Sequence, residues 1–215
     1  DRCLIQTPEA DAILEGLKPQ LWKLGIKPYN EETKQGMLRH VVVRKAFATD
    51  EVMVVLVTKK RKFPQANEAI ALIRKLVPNV KSIMQNINSE TTNVIFGNET
   101  INLWGQDTIE DHIGDVRFEI SARSFYQVNP IQTEVLYKQA LDYAQLTGKE
   151  TVIDAYCGIG TISLFMAKKA KYVMGVEIVP QAIKDAKRNA KLNGLDNTYF
   201  EAGPAEEVIP RWYKE

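Results

Sequence analysis

The sequence has 215 residues, enough for one large domain or two small ones. Its 45% hydrophobic and 26% charged content is that of an ordinary globular chain, and its formal net charge of +1 excludes a strongly polycationic binder while leaving room for a local basic patch. Two cysteines, Cys3 and Cys157, form no disulfide framework and no Cys-x-x-Cys metal pattern, so a reducing cytoplasm and no metal are expected.

With only His40 and His112 available, a zinc site is not expected either. The longest apolar run, Val52 to Val57, is too short to span a bilayer, and no signal peptide is read, so no membrane association is expected. The chain starts at Asp1, without an initiator Met, which points to an excised piece of a larger protein.

Pro8 to Leu24 reads as a helix, with Thr7 as N-cap, Pro8 at the first helical position and Gly25 as its end. Leu38–Phe47 and Glu51–Thr58 read as an antiparallel hairpin around Ala48-Thr49-Asp50. Lys59-Lys60-Arg61-Lys62 follows; it is either a phosphate-contacting patch or a solvated strand end carrying aggregation-blocking lysines. Ala66–Val77 has helical periodicity. Val80–Asn88, Asn93–Phe96, Ile101–Trp104 and Asp107–Ile113 read as short strands, and Glu110-Asp111-His112 as a solvated loop rather than a metal cluster. Residues 1–120 are therefore expected to form a small α+β domain, and 121–215 a second domain.

Arg117–Ser121 alternates as a strand. In Ser124-Phe125-Tyr126-Gln127-Val128-Asn129-Pro130, Asn129 and Pro130 are helix-start residues, and Gln132 fits a capping box. The helix beyond shows Ile131, Val135, Leu136, Leu141 and Ala144. Helix initiation does not account for Phe125 and Gln127, since a buried amide must find hydrogen bonds.

Thr151 to Thr161 (TVIDAYCGIGT) reads as a strand ending in Asp154, a loop with Gly158 and Gly160, and a helix start. Glycines there let a ligand approach the backbone over a helix N-terminus. Tyr172–Glu177 is a second short strand, ending in a carboxylate able to accept both ribose hydroxyls of a bound adenosine. A helix from Pro180 follows, ended by Asn193-Gly194. Asn197–Glu201 is then a third strand, with Gly203 to Glu207 at its tip, where adenine is expected in this fold.

Two readings of the loop compete. A dinucleotide fingerprint wants a third glycine where Ser163 stands, which weakens a nicotinamide-dependent oxidoreductase. An S-adenosylmethionine-binding motif wants an acidic strand end and an x-x-Gly-x-Gly loop, which Asp154–Gly160 matches. A noncatalytic RNA-binding module using the basic hairpin is a third reading.

Together these stretches resemble the RNA (uracil-5-)-methyltransferases, especially the bacterial 23S ribosomal RNA branch. Phe125-Tyr126-Gln127-Val128-Asn129 is similar to that family's Phe-x-Gln-Val-Asn signature, and Asp154 to Thr161 (DAYCGIGT) to its first cofactor motif. Gly175-Val176-Glu177 is similar to its second, and Asn189 to Gly194 (NAKLNG) to the helix end that follows. The resemblance implies an α/β fold: the first half of a Rossmann-like S-adenosylmethionine-dependent methyltransferase domain, preceded by a central α+β domain that helps hold RNA. It implies S-adenosyl-L-methionine as cofactor, bound by Gln127, Tyr156 and Glu177, with Asp154, Gly158 and Gly160 completing the site. Ribosomal RNA is the implied partner, with transfer RNA as the alternative, and Lys59, Lys60, Arg61 and Lys62 are candidate RNA contacts.

The same resemblance implies a cysteine thiolate that adds to carbon 6 of uracil, and a base that removes the proton from carbon 5. The family carries that nucleophile in Asp-Pro-Pro-Arg-x-Gly and Ser-Cys-Asn-Pro stretches, and neither occurs here. Cys157 lies in the cofactor loop and is not expected to substitute. No catalytic residue is therefore expected in these residues, and the 215-residue piece alone is expected to be inactive. The family's N-terminal β-barrel is absent as well. Cys3 alone cannot hold the four-cysteine iron–sulfur cluster that some members carry.

Overall fold

A computed structural model describes residues 3–214. Expectations attached to the chain's ends at Asp1 and Glu215 lie outside the described residues. The chain divides into two compact units, Asp1–Ile109 and Glu110–Glu215.

The first unit is a four-stranded sheet in the order β1-β2-β3-β4: β1 (Leu38–Lys45), β2 (Val52–Thr58), β3 (Val80–Ile87) and β4 (Glu99–Gly105). The β1–β2 hairpin is antiparallel as expected, with Asp50 left-handed in its turn (φ 60°). β2 pairs in parallel with β3 across a helical crossover, α2 (Ala66–Leu76). All seven residues of β2 are buried, which is why it reads as a continuous apolar run rather than an alternating one. Helix α1 (Pro8–Leu17) starts where expected, the Thr7 hydroxyl accepting from the Ala10 N–H.

Three expectations are corrected here. Helix α1 stops at Leu17, not Leu24: Pro19 lacks the N–H that an α-helix needs there, and Lys18–Gln20 tightens into a 3₁₀ turn. Asn93–Phe96 is no strand. The buried Asn88 amide donates to the Val94 and Ile95 carbonyls, and the enclosed Arg39 guanidinium donates to the Asn88, Glu90 and Thr92 carbonyls, so this backbone is satisfied as a shaped loop. Glu110-Asp111-His112 is not a solvated loop but the centre of β5 (Ile109–Ile113), with Asp111 buried.

The second unit opens with the hairpin of β5 and β6 (Val116–Ile120). The domain boundary expected at 120/121 thus falls earlier. The reason is that β6 is bound to the second unit: the Asn193 side chain accepts from the Arg117 N–H and donates to the Arg117 carbonyl. Helix α3 (Pro130–Ala144) begins on Asn129, whose side chain accepts from the Gln132 N–H. Its apolar residues are turned outward: Ile131, Val135 and Leu136 are exposed, and Thr133 and Tyr137 are the buried ones.

A three-stranded parallel sheet follows in the order β7-β8-β9: β7 (Thr151–Ala155), β8 (Tyr172–Glu177) and β9 (Thr198–Ala202). Helices α4 (Thr161–Ala167), α5 (Pro180–Leu192) and α6 (Ala205–Trp212) accompany it. The α/β fold class expected for this half is the one observed. β8 is the central strand, so the loops after β7 and β8 lie side by side at the carboxyl ends, where open α/β sheets bind ligands. Among the described residues no helix is long and apolar enough to cross a membrane.

Candidate functional site

The loop between β7 and α4 turns three times through left-handed backbone, at Tyr156 (φ 67°), Gly158 (φ 55°) and Gly160 (φ 83°). Tyr156 is not a glycine, so its conformation costs roughly 1 kcal/mol or more. The loop spends that on pointing an aromatic ring outward: Tyr156 is 75% exposed.

The two glycines serve different ends. A Cβ on Gly158 would meet nothing within 4 Å, so the loop is open on that side and a ligand can approach the backbone there. A Cβ on Gly160 would meet the Phe200 ring at 3.3 Å and the Ala186 methyl at 3.4 Å. Packing against Phe200 and Ala186 is therefore enough to require a glycine at Gly160. Gly175 in β8 is tighter still: a Cβ would fall 2.6 Å from the Phe200 ring and 2.9 Å from Cys157 Sγ.

The two carboxylates have distinct surroundings. Asp154 accepts from the hydroxyl of Ser163, which is completely buried. Where the dinucleotide fingerprint wants a glycine, this chain has a hydroxyl that fixes the first carboxylate. Burial pushes the Asp154 carboxyl above its ordinary range, and the nearby charge of Glu177 adds to the rise. Glu177 accepts from the Gly158 N–H at 3.2 Å through Oε2, and from the Val179 N–H at 3.1 Å through Oε1. Each carboxylate oxygen can accept twice, so Glu177 keeps capacity for two further donors.

Gln127 lies on the extended segment before α3, where burial alternates. Ser124 and Tyr126 are buried, Phe125 is exposed, and Gln127 is half-buried. Among the described residues its amide has no hydrogen-bond partner. Burial and the Asp111 charge raise the Tyr126 phenol above its ordinary range, so it stays neutral. Asp154, Glu177, Gly158 and Tyr156 thus meet at one end of the sheet, while Gln127 comes from a separate segment.

The basic run is elsewhere, in the first unit. Lys59 donates to the Lys34 carbonyl and lies 5.3 Å from the centre of the Tyr29 ring, and Arg61 pairs with Glu99. Lys60 and Lys62 are exposed. The buried Gln85 amide donates to the Lys60 and Arg61 carbonyls at 3.2 and 3.0 Å, giving the turn a fixed shape. Sequence reasoning missed Gln85, which in the sequence is one of several polar residues of β3, with Lys81, Ser82 and Asn86.

Cys157 is buried under the loop. Burial first, then the charges of Asp154 and Glu177, push its thiol up to about 12. It therefore stays protonated and inert at neutral pH. Treating the native protein with iodoacetamide at pH 7.5 should leave Cys157 unmodified while the exposed Cys3 reacts, as read by peptide mass spectrometry. Because the thiol's value is raised, its reaction should rise with pH toward about 12 rather than level off near 9.

Comparison with known proteins matches residues 146–215 to a family model described as a methyltransferase domain. A crystal structure of Pyrococcus abyssi tRNA (uracil-54, C5)-methyltransferase in complex with S-adenosyl-L-homocysteine superimposes with a TM-score of 0.79 at 28% identity, over 97% of this chain and 50% of that one. The second unit has a methyltransferase fold. Curated relatives agree: an uncharacterized RNA methyltransferase of Halalkalibacterium halodurans is 58% identical over 100% of this chain and 47% of its own length. One from Listeria monocytogenes is 58% identical over 99% of this chain, again 47% of its own length. The chain spans about half the length of the curated relatives it matches.

Proposed function

We propose that this chain is the cofactor-binding part of an S-adenosylmethionine-dependent RNA methyltransferase that acts on carbon 5 of uridine, with 23S ribosomal RNA as substrate. The observation that carries the reading is the pairing of the Glu177 carboxylate with the Gly158 N–H across the tips of adjacent strands. It sets an acceptor with two free positions beside an open stretch of backbone. That is the arrangement an adenosine ribose needs. The relatives' names support an RNA substrate, and the Pyrococcus abyssi neighbour supports uracil carbon 5.

The residues fit the cofactor. Glu177 accepts the ribose hydroxyls, the left-handed Tyr156 lays its ring at the loop's outer face, and Gly158 admits the ligand to the backbone. Gln127 offers an unpaired amide to the amino-acid end or the ribose. Asp154 acts through the loop, which it anchors by way of Ser163. When bound, S-adenosylmethionine supplies an electrophilic methyl group; these residues bind and orient it. Lys60 and Lys62, with Lys59 and Arg61, are the proposed RNA contacts.

The nucleophilic cysteine and the base lie outside these residues in this reading, because Cys157 is sealed as the thiol. A transfer-RNA substrate is the second reading, favoured by the Pyrococcus abyssi neighbour, a tRNA (uracil-54, C5)-methyltransferase. The test is transfer of labelled methyl from S-adenosylmethionine to 23S ribosomal RNA and to bulk transfer RNA, with nucleoside analysis of the product. Label in 5-methyluridine of the ribosomal RNA is expected from the full-length protein, and none from these 215 residues alone. Label in another nucleoside would refute the uridine assignment, and label in transfer RNA alone would favour the second reading.

A further inference from the structure

Helix α5 carries Asp185 and Asn189, and Asn193 is its C-cap; the three are four residues apart and continue one face. Asp185 and Asn189 are completely buried. Polar groups on a helix face that could have packed with apolar ones are costly unless every one is partnered. Here they are partnered, and beside the local bonds of Asp185 to Gln181 and Arg188 their partners belong to two segments distant in sequence.

Asp185 accepts from the Ser121 hydroxyl at 2.8 Å, from Gln181 at 3.1 Å and from Arg188 at 3.1 Å. Ser121 in turn is tied to Ser124: its N–H donates to the Ser124 hydroxyl at 2.8 Å, and that hydroxyl donates to the Ser121 carbonyl at 2.9 Å. Asn189 accepts from the Glu119 N–H at 2.8 Å and donates to the Ile159 carbonyl at 3.2 Å. Asn193 clamps both backbone groups of Arg117. One side of this stripe therefore fixes 117–124, the lead into Phe125–Gln127. The other side fixes Ile159, inside the glycine loop.

We infer that Asp185, Asn189 and Asn193 form a positioning stripe that registers the Gln127 segment against the glycine loop, so that the two parts of the cofactor pocket are built to one spacing. This rests on the cofactor reading above. None of the three is needed to touch the ligand. Apolar side chains would fill the same face but would allow sliding, whereas directional hydrogen bonds fix one register.

A double-mutant cycle on the full-length protein tests it, with S-adenosylhomocysteine as the titrated ligand. In the parent, Gln127→Ala should weaken binding about tenfold, the size of one well-placed hydrogen bond. Asp185→Asn should weaken it about tenfold by itself, and in that background Gln127→Ala should cost less than about twofold, because an amide out of register has little left to lose. If Asp185→Asn does not fold, Ser121→Ala takes its place: it removes one donor and leaves the carboxylate held by Gln181 and Arg188. An equal cost of Gln127→Ala in both backgrounds would overturn the inference, since a merely structural Asp185 leaves the amide's contribution unchanged. A parent that does not bind S-adenosylhomocysteine would instead refute the cofactor reading itself.

Discussion

Phe200→Ala is expected to lower the stability of the second unit by about 3–5 kcal/mol, the usual cost of emptying a buried aromatic site. Phe200 is 2% exposed, on β9. Two glycines exist to admit its ring. The positions of their missing Cβ atoms lie 3.3 Å (Gly160) and 2.6 Å (Gly175) from it. With no side chain on either glycine, neither can grow into the void, so collapse around the cavity would have to move backbone. The loss should appear in urea unfolding as a lower midpoint with little change in slope. The converse substitution, Gly175→Ala, pushes a methyl group into the same ring and into Cys157, and overpacking of that kind costs about 1–3 kcal/mol. A Phe200→Ala protein that unfolds at the parent's midpoint would mean that the sheet packs differently from this description.

Glu177→Ala is expected to reduce affinity for S-adenosylhomocysteine roughly a hundredfold, from about 3 kcal/mol of charge-assisted hydrogen bonding. Two losses combine. The ribose loses its acceptor, and the Gly158 and Val179 N–H groups lose theirs, so the loop that should meet the ligand slackens as well. Glu177→Gln removes less. A Gln carbonyl can still accept from one of the Gly158 and Val179 N–H groups, but its NH₂ can accept from neither the other N–H nor a ribose hydroxyl, and one full charge is gone. An intermediate loss of about tenfold is expected for it. Parent-like affinity in both variants, measured by calorimetry, would remove Glu177 from the site.

Much of this was legible in the sequence, for local reasons. Helix starts were readable because caps are chemical: Thr7 and Asn129 each accept the N–H that their side chains were expected to take. The strand–loop–helix at 151–167 was readable because apolar periodicity changes where the glycines stand. What failed was non-local. Asn93–Phe96 has strand composition, yet the Asn88 amide holds its Val94 and Ile95 carbonyls, and Arg39 holds the Thr92 carbonyl just before it. The apolar residues of α3 keep helical spacing without being the buried ones, because Tyr137 fixes the helix by its bond to Thr161 and its edge contact with Phe165. Ser163 counted in the sequence only as a missing glycine, and its bond to Asp154 is visible only once strand and helix are folded together. Asn189 and Asn193 were read only as part of a helix end, and Asp185 was not singled out, since their distant partners lie 30 to 76 residues away.

The most direct measurement is a calorimetric titration of S-adenosylhomocysteine into the full-length protein, with NAD titrated beside it. The account predicts saturable one-site binding of S-adenosylhomocysteine and none of NAD, because Ser163 takes the place of the third dinucleotide glycine and its hydroxyl holds Asp154. Binding of NAD with no response to S-adenosylhomocysteine, by a protein that is demonstrably folded, would contradict it.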